Sequence, residues 1–164
     1  MYRLARIVSI LVVLGLTRAR PSNSQTLSVA AAGGPVFLPG SGASSDWHGL
    51  LGLGIHQGNG GVRFDAMLTG VPGADLLALT ANYVWTFRRK QGNAVEPYLI
   101  AGLGGYVKFS DDHFGLNGGV GVRRRAGPVR LFAEVRYHRL TSKFEETSNA
   151  DTFVPVSFGI MLGR

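Results

Sequence analysis

The 164-residue chain contains no cysteine. That excludes a disulfide scaffold, a cysteine zinc site, a thiol nucleophile and a lipid-anchored amino-terminal cysteine. Charge is also scarce, at 16% of residues against about 25% in an ordinary soluble domain. Beyond residue 24, no run of about 18 consecutive apolar residues exists, so no membrane helix is expected there. Basic residues occur in only two clusters, Arg88-Arg89-Lys90 and Arg123-Arg124-Arg125. Neither is interleaved with aromatics as a nucleic-acid platform would be, so no nucleic-acid partner is expected. Glycine, by contrast, is abundant: 24 residues, roughly twice average usage. With 45% hydrophobic residues the chain is not a disordered one, and its length suits a single domain with a sizeable core.

The first 24 residues read as an export signal. Arg3 and Arg6 precede the apolar stretch 7–16, which ends at Arg18, Arg20 and Pro21. An apolar stretch of about ten residues is too short to span a bilayer as a helix. Ser22 and Ser24 are the small residues expected before a cleavage at Gln25. Removing this segment takes away four arginines and leaves thirteen basic against ten acidic residues, a net charge of +3 rather than +7.

Residues 25–164 repeat a pattern of about ten alternating residues followed by a turn signal, which predicts eight strands near 26–38, 47–56, 61–70, 76–87, 96–109, 114–125, 128–140 and 153–163. In the seventh, Val129, Leu131, Ala133, Val135 and Tyr137 oppose Arg130, Phe132, Glu134, Arg136 and His138. In the third, Val62, Phe64, Ala66 and Leu68 oppose Arg63, Asp65, Met67 and Thr69. The connections at 57–60 and 126–128 are tight, while 39–46 and 141–152 are long and polar.

Alternating strands suit two solvents, and the charges discriminate between them. Arg63, Asp65, Glu96, Lys108, Arg123, Arg130, Glu134 and Arg136 all fall on the less apolar face. That face is also rich in glycine, which makes room for long side chains in a narrow interior. The apolar face carries Tyr83, Trp85, Phe87, Phe109, Phe114 and Tyr137 toward strand ends, as a lipid-interface girdle requires. The expected architecture is therefore all-β: an eight-stranded antiparallel up-and-down transmembrane β-barrel at 25–164, preceded by a signal peptide at 1–24. The eight charged residues are expected to form a structural network inside it, because a buried charge must be paired.

The segments 97–106 (PYLIAGLGGY), 114–123 (FGLNGGVGVR), 132–138 (FAEVRYH) and 155–160 (PVSFGI) resemble the small bacterial outer-membrane β-barrel superfamily, which includes OmpA-like barrel domains, OmpX-like and opacity-type proteins. The resemblance covers most of 26–164. It implies location in the outer membrane, both termini in the periplasm, contact with outer-membrane lipid and lipopolysaccharide, and insertion by the barrel-assembly machinery. The ending Leu162-Gly163-Arg164 departs from the terminal aromatic common in that group.

Motifs for chemistry are weak. Gly52-Leu-Gly54 and Gly102-Leu-Gly104-Gly105 do not open a helix after a strand, so they do not predict a phosphate-binding loop or a cofactor. His48, His56, His113 and His138 lack metal-ligand spacing, so no metal is expected, and they are expected to be exposed or at the rim. His138, near Thr141, Ser142, Glu145 and Glu146, is the best enzyme candidate. Lipid A deacylases place a serine two residues after the histidine, where this chain has Leu140. The expectation is a non-enzymatic barrel with a structural or surface-interaction role, whose exposed contacts are loops 39–46 and 141–152. The alternatives are a lipid A-modifying hydrolase centred on His138 and a soluble secreted ligand-binding barrel.

Overall fold

A computed structural model describes residues 25–39, 45–71, 74–87, 95–108, 111–141 and 152–163. The expected signal segment and most of the two long loops lie outside the described residues. The strands are β1 (Gln25–Phe37), β2 (Ser45–Gln57), β3 (Gly60–Val71), β4 (Ala74–Thr86), β5 (Glu96–Lys108), β6 (Asp111–Ala126), β7 (Val129–Leu140) and β8 (Thr152–Gly163). Each pairs antiparallel with its sequence neighbours, and β1 pairs with β8 from Ser28↔Gly163 to Phe37↔Val154, closing the barrel. Closure removes both sheet edges, which in lipid is the condition for satisfying every strand backbone group.

The strands begin and end within three residues of the positions that their alternation predicts. The largest difference is at β6, which starts at Asp111 rather than 114 because the ladder with β5 continues to Lys108↔Asp111. At one end of the barrel two strand pairs are joined by two-residue turns. Gly58 (φ 58°) opens the β2–β3 turn, and Gly127 (φ 65°) opens the β6–β7 turn before Pro128. Proline's fixed negative φ at the second position and glycine's positive φ at the first match a type II′ hairpin, whose twist suits antiparallel strands. This is called the turn end below. The opposite end, where the chain lengths of 38–44 and 141–151 separate the strands, is the loop end.

Burial follows the period of two. On β7, Phe132, Glu134, Arg136, His138 and Leu140 are buried while Leu131, Val135 and Tyr137 are exposed. The buried side is the inside of the barrel. The outside carries Leu51, Leu53, Leu68, Leu99, Leu103, Val120, Leu131, Phe158 and Ile160, all at least 40% exposed. A soluble fold would hide this set. Apart from Phe64 and Phe158 in mid-strand, the exposed aromatics fall in two bands: Phe37, Trp47, Phe114 and Tyr137 toward the loop end, and Tyr83, Trp85 and Phe87 at the turn end. An apolar belt between two aromatic bands matches a lipid bilayer, whose interfaces favour amphipathic rings.

Candidate functional site: the barrel interior

Eight strands enclose a bore that side chains alone can fill. Its contents change with height. At the loop end Val36, Met67, Leu76, Ala78, Tyr106, Leu140 and Phe153 pack as one apolar cluster. His138 belongs to this layer: its ring stacks on Phe153 at 4.6 Å, and its Nδ1 is 2.8 Å from the Tyr106 hydroxyl. His48 lies in the same half of the bore, 2.8 Å from the Ser157 hydroxyl. His48, His56 and His138 are all buried, which corrects the expectation of exposed or rim histidines. Strand parity turns these rings inward, where His48 meets the Ser157 hydroxyl and His138 that of Tyr106. His113, expected in a loop, is a residue of β6.

The middle of the bore holds four charges. Arg63 on β3 places Nε 3.0 Å from the Asp65 carboxylate and Nη2 2.8 Å from Glu134 Oε2 on β7. Arg136 closes the ring, with Nη2 2.7 Å from Asp65 Oδ2 and Nε bonded to Glu134 Oε1. Two guanidinium groups therefore alternate with two carboxylates. Each side chain of the ring is no more than 2% exposed. Tyr98 donates its hydroxyl to Glu134 Oε2 at 2.8 Å, and Asn82 donates its amide to Asp65 Oδ2 at 2.9 Å. Phe132 lies beneath the Arg63 guanidinium, 5.9 Å from ring centroid to Cζ. Buried charges persist only when hydrogen-bonded on several sides, and this ring meets that condition.

Glycines make the ring possible. A β-carbon at Gly119 would lie 3.0 Å from Arg136 Cγ and closer still to the Val135 carbonyl. One at Gly121 would enter the Tyr98 ring, and one at Gly52 would collide with Asp65. Arg136, Tyr98 and Asp65 thus each lie over a neighbour-strand glycine.

Of the eight charges expected to form a network, the structure brings four together. Glu96 and Arg123 form a separate pair toward the turn end, with Arg123 Nε 2.9 Å from Glu96 Oε2. This corrects the grouping of Arg123 with Glu134 and Asp65. Arg123 stands directly opposite Glu96 in the β5–β6 register, so its nearest acid is its own cross-strand neighbour. Arg130 is at the turn-end mouth, and the Lys108 side chain is outside the described residues. Tyr98, Asn82, His48 and Ser157 were not expected as members of the interior network. Parity alone puts Tyr98 on the same face as Glu96, but nothing local to it indicates a carboxylate partner.

Thr141, considered beside His138, is exposed and donates its hydroxyl to the Phe114 carbonyl at 2.8 Å. Ser142, Glu145 and Glu146 are outside the described residues. Among the described residues, no three His, Asp or Glu side chains converge as a metal site.

No protein-family profile and no curated protein sequence matches the chain. Solved structures do. Neisserial surface protein A superposes with a TM-score of 0.66 at 19% identity, covering 85% of this chain and 96% of that one. A major outer membrane protein from Thermus thermophilus gives 0.59 at 13%, covering 85% and 99%. The outer membrane enzyme PagL gives 0.51 at 19%, covering 82% and 98%. The chain has the fold of the small bacterial outer-membrane β-barrels. Its apolar exterior, two aromatic bands and charged interior have the inside-out distribution that a surrounding lipid bilayer demands.

Proposed function

We propose that this outer-membrane barrel is non-enzymatic, with a structural or surface-interaction role, and that its charged interior is a lock rather than a pathway. The observation that carries this reading is the closed ring of Arg63, Asp65, Glu134 and Arg136, capped on the loop side by the Val36–Phe153 cluster. Pores need wider barrels, in which strands leave an aqueous channel. Loops 39–46 and 141–152 are the segments for surface contacts, and lipopolysaccharide is the surrounding lipid on that side. The barrel-assembly machinery is the proposed route of insertion.

PagL combines this fold with enzymatic activity, so a hydrolase is the competing reading. Against it stands the placement of His138, 1% exposed inside the bore. A lipid acyl chain outside the barrel has no approach to a base in that position, and a nucleophile must lie within hydrogen-bond reach of its base. The soluble ligand-binding barrel requires an apolar interior, whereas charges occupy the middle of this one.

The test is reconstitution of the purified chain in planar bilayers and, separately, incubation with lipid A. The expected outcomes are no steady unitary conductance and no fatty-acid release. A reproducible open channel would overturn the lock, and fatty-acid release abolished by His138→Ala would establish the enzyme.

A further inference from the structure

Two buried histidines stand in the loop-end half of the bore, and neither is bonded to a carboxylate among the described residues. His48 Nε2 is 2.8 Å from the Ser157 hydroxyl, and the Gly34 backbone is its other polar neighbour. His138 Nδ1 is 2.8 Å from the Tyr106 hydroxyl, while its Nε2 is buried with no hydrogen-bond partner among the described residues. A second proton on this ring would therefore meet no acceptor. Strand neighbours set the depth. Trp47 and Tyr137 each precede one of these histidines and face outward in the loop-end aromatic band. Both imidazoles thus lie at interface level inside the wall, close to the water beyond the loop end.

The elements packed around them offer little to a cation. His138 meets Tyr106 of β5, Asn117 directly across on β6 and Phe153 of β8. His48 is opposite Gly34 of β1 and Thr69 of β3, and it is close enough to His138 to act on it electrostatically. A third imidazole, His113, is opposite Tyr106. Arg136, two residues before His138 on the same face, is already a cation, and its partners Asp65 and Glu134 are each held by two guanidinium groups. Toward the loop end Asp46, Asp75 and Asp112 are exposed, and Asp46 accepts the Trp47 amide. The side chains of Lys108 and Asp111, and the acids of 142–151, are outside the described residues. A hydroxyl serves imidazole and imidazolium alike, whereas an apolar layer does not accept an unpaired charge.

We propose that His48 and His138 are an acid-labile latch on the loop-end seal. Neutral rings close the Val36–Phe153 cluster. Proton uptake puts cations into that layer, which opens to water while the ionic ring below stays shut, because its charges are already paired. The unfolded chain takes up the same protons freely near pH 6.5, so below about that value each histidine favours the open layer by roughly tenfold per pH unit. The latch rests on the lock reading of the interior. Steady conductance at neutral pH would sink the lock, whereas the labelling below reads the seal alone.

The chain has no cysteine, so a single introduced thiol reports water access. Leu76→Cys lies in the seal, and Thr86→Cys is buried at the turn end, beyond the ring. Each variant of the full chain is folded into phosphatidylcholine vesicles and labelled with dithiodipyridine, which reacts with thiols in acid as well as at neutral pH. Rates are normalised to the urea-unfolded variant at the same pH. Between about pH 7.5 and about pH 5, labelling of Leu76→Cys should accelerate by roughly tenfold or more, and that of Thr86→Cys should not change. Adding His48→Gln and His138→Gln to Leu76→Cys should abolish the acceleration. Either histidine substitution alone should reduce it, and serves if the triple variant does not fold. Three results would overturn the latch: pH-independent labelling of Leu76→Cys, equal acceleration at Thr86→Cys, which would mean global unfolding, or acceleration that survives the histidine substitutions.

Discussion

The bore of this barrel is filled in two different ways along its length. The loop-end half is sealed by aliphatic and aromatic side chains around Tyr106, His138 and Phe153. The middle is sealed by two arginines and two carboxylates. Both layers exclude open space from the same narrow cylinder, but by different physics. Apolar packing is a sum of many small contacts, and it tolerates exchange of one residue for another of similar volume. The ionic ring is cooperative: every member is satisfied by the others, so deleting one leaves a buried charge without compensation. The ring also fixes who faces whom across the barrel, which the apolar cluster does not.

The largest expected effect breaks the ring. Glu134→Ala removes the carboxylate shared by Arg63, Arg136 and Tyr98. It should lower folded-barrel stability by about 3–5 kcal/mol, the usual consequence of stranding half of a buried pair. Urea titration of the protein in lipid vesicles, followed by heat-modified gel migration, measures it. A loss below about 1 kcal/mol would mean that water reaches the ring.

A change on the other side of the same strand separates the ring from its lipid surroundings. Val135→Arg puts a charge on the outward face near mid-depth, between Val120 and Val156. The expected loss is about 2–4 kcal/mol in a bilayer. The same titration in thinner, short-chain lipid should show a smaller loss if lipid is the cause.

Steric support for the ring is tested at Gly121. Gly121→Ala drives a methyl group into the Tyr98 ring and should cost about 1–3 kcal/mol by overpacking. Combining it with Tyr98→Phe should leave most of that loss in place, because the collision is with the ring. Combining it with Tyr98→Ala should remove the collision, so the double variant's loss should be well below the sum of the two single losses.

The smallest effect is expected at the outer pair. Glu96→Gln removes the partner of Arg123, but Glu96 is 30% exposed and solvent compensates. The loss should be below about 1 kcal/mol, the range of exposed ion pairs. A loss as large as that of Glu134→Ala would show that the two pairs act as one network after all.

Much of this architecture is legible in the alternation of residues. A period of two assigns each side chain to one of two faces. In β3 and β7 it separates Val62, Phe64, Leu131 and Val135 from Arg63, Asp65, Glu134 and Arg136 without reference to any structure. The glycine-rich inward positions and the aromatic strand ends further indicate that the polar face is the inner one. Parity also carries the histidines inward, yet His48 and His138 read as rim residues, because a lone histidine in a strand does not reveal whether a Ser157 or Tyr106 stands across from it.

Sequence by itself thus determined the strands, their two faces and the solvent that each face requires, since these depend on residues two apart along one chain. Tertiary structure decided the partners. Arg63 and Glu134 are 71 residues apart, on strands that lie on opposite sides of an eight-membered ring. Their contact exists only because β1 pairs with β8 and the register of every ladder between them brings both side chains to the same height. The same closure sends Arg123 to Glu96 instead. A charge's face is a local property of the chain, whereas its partner across the bore depends on closure of the whole sheet.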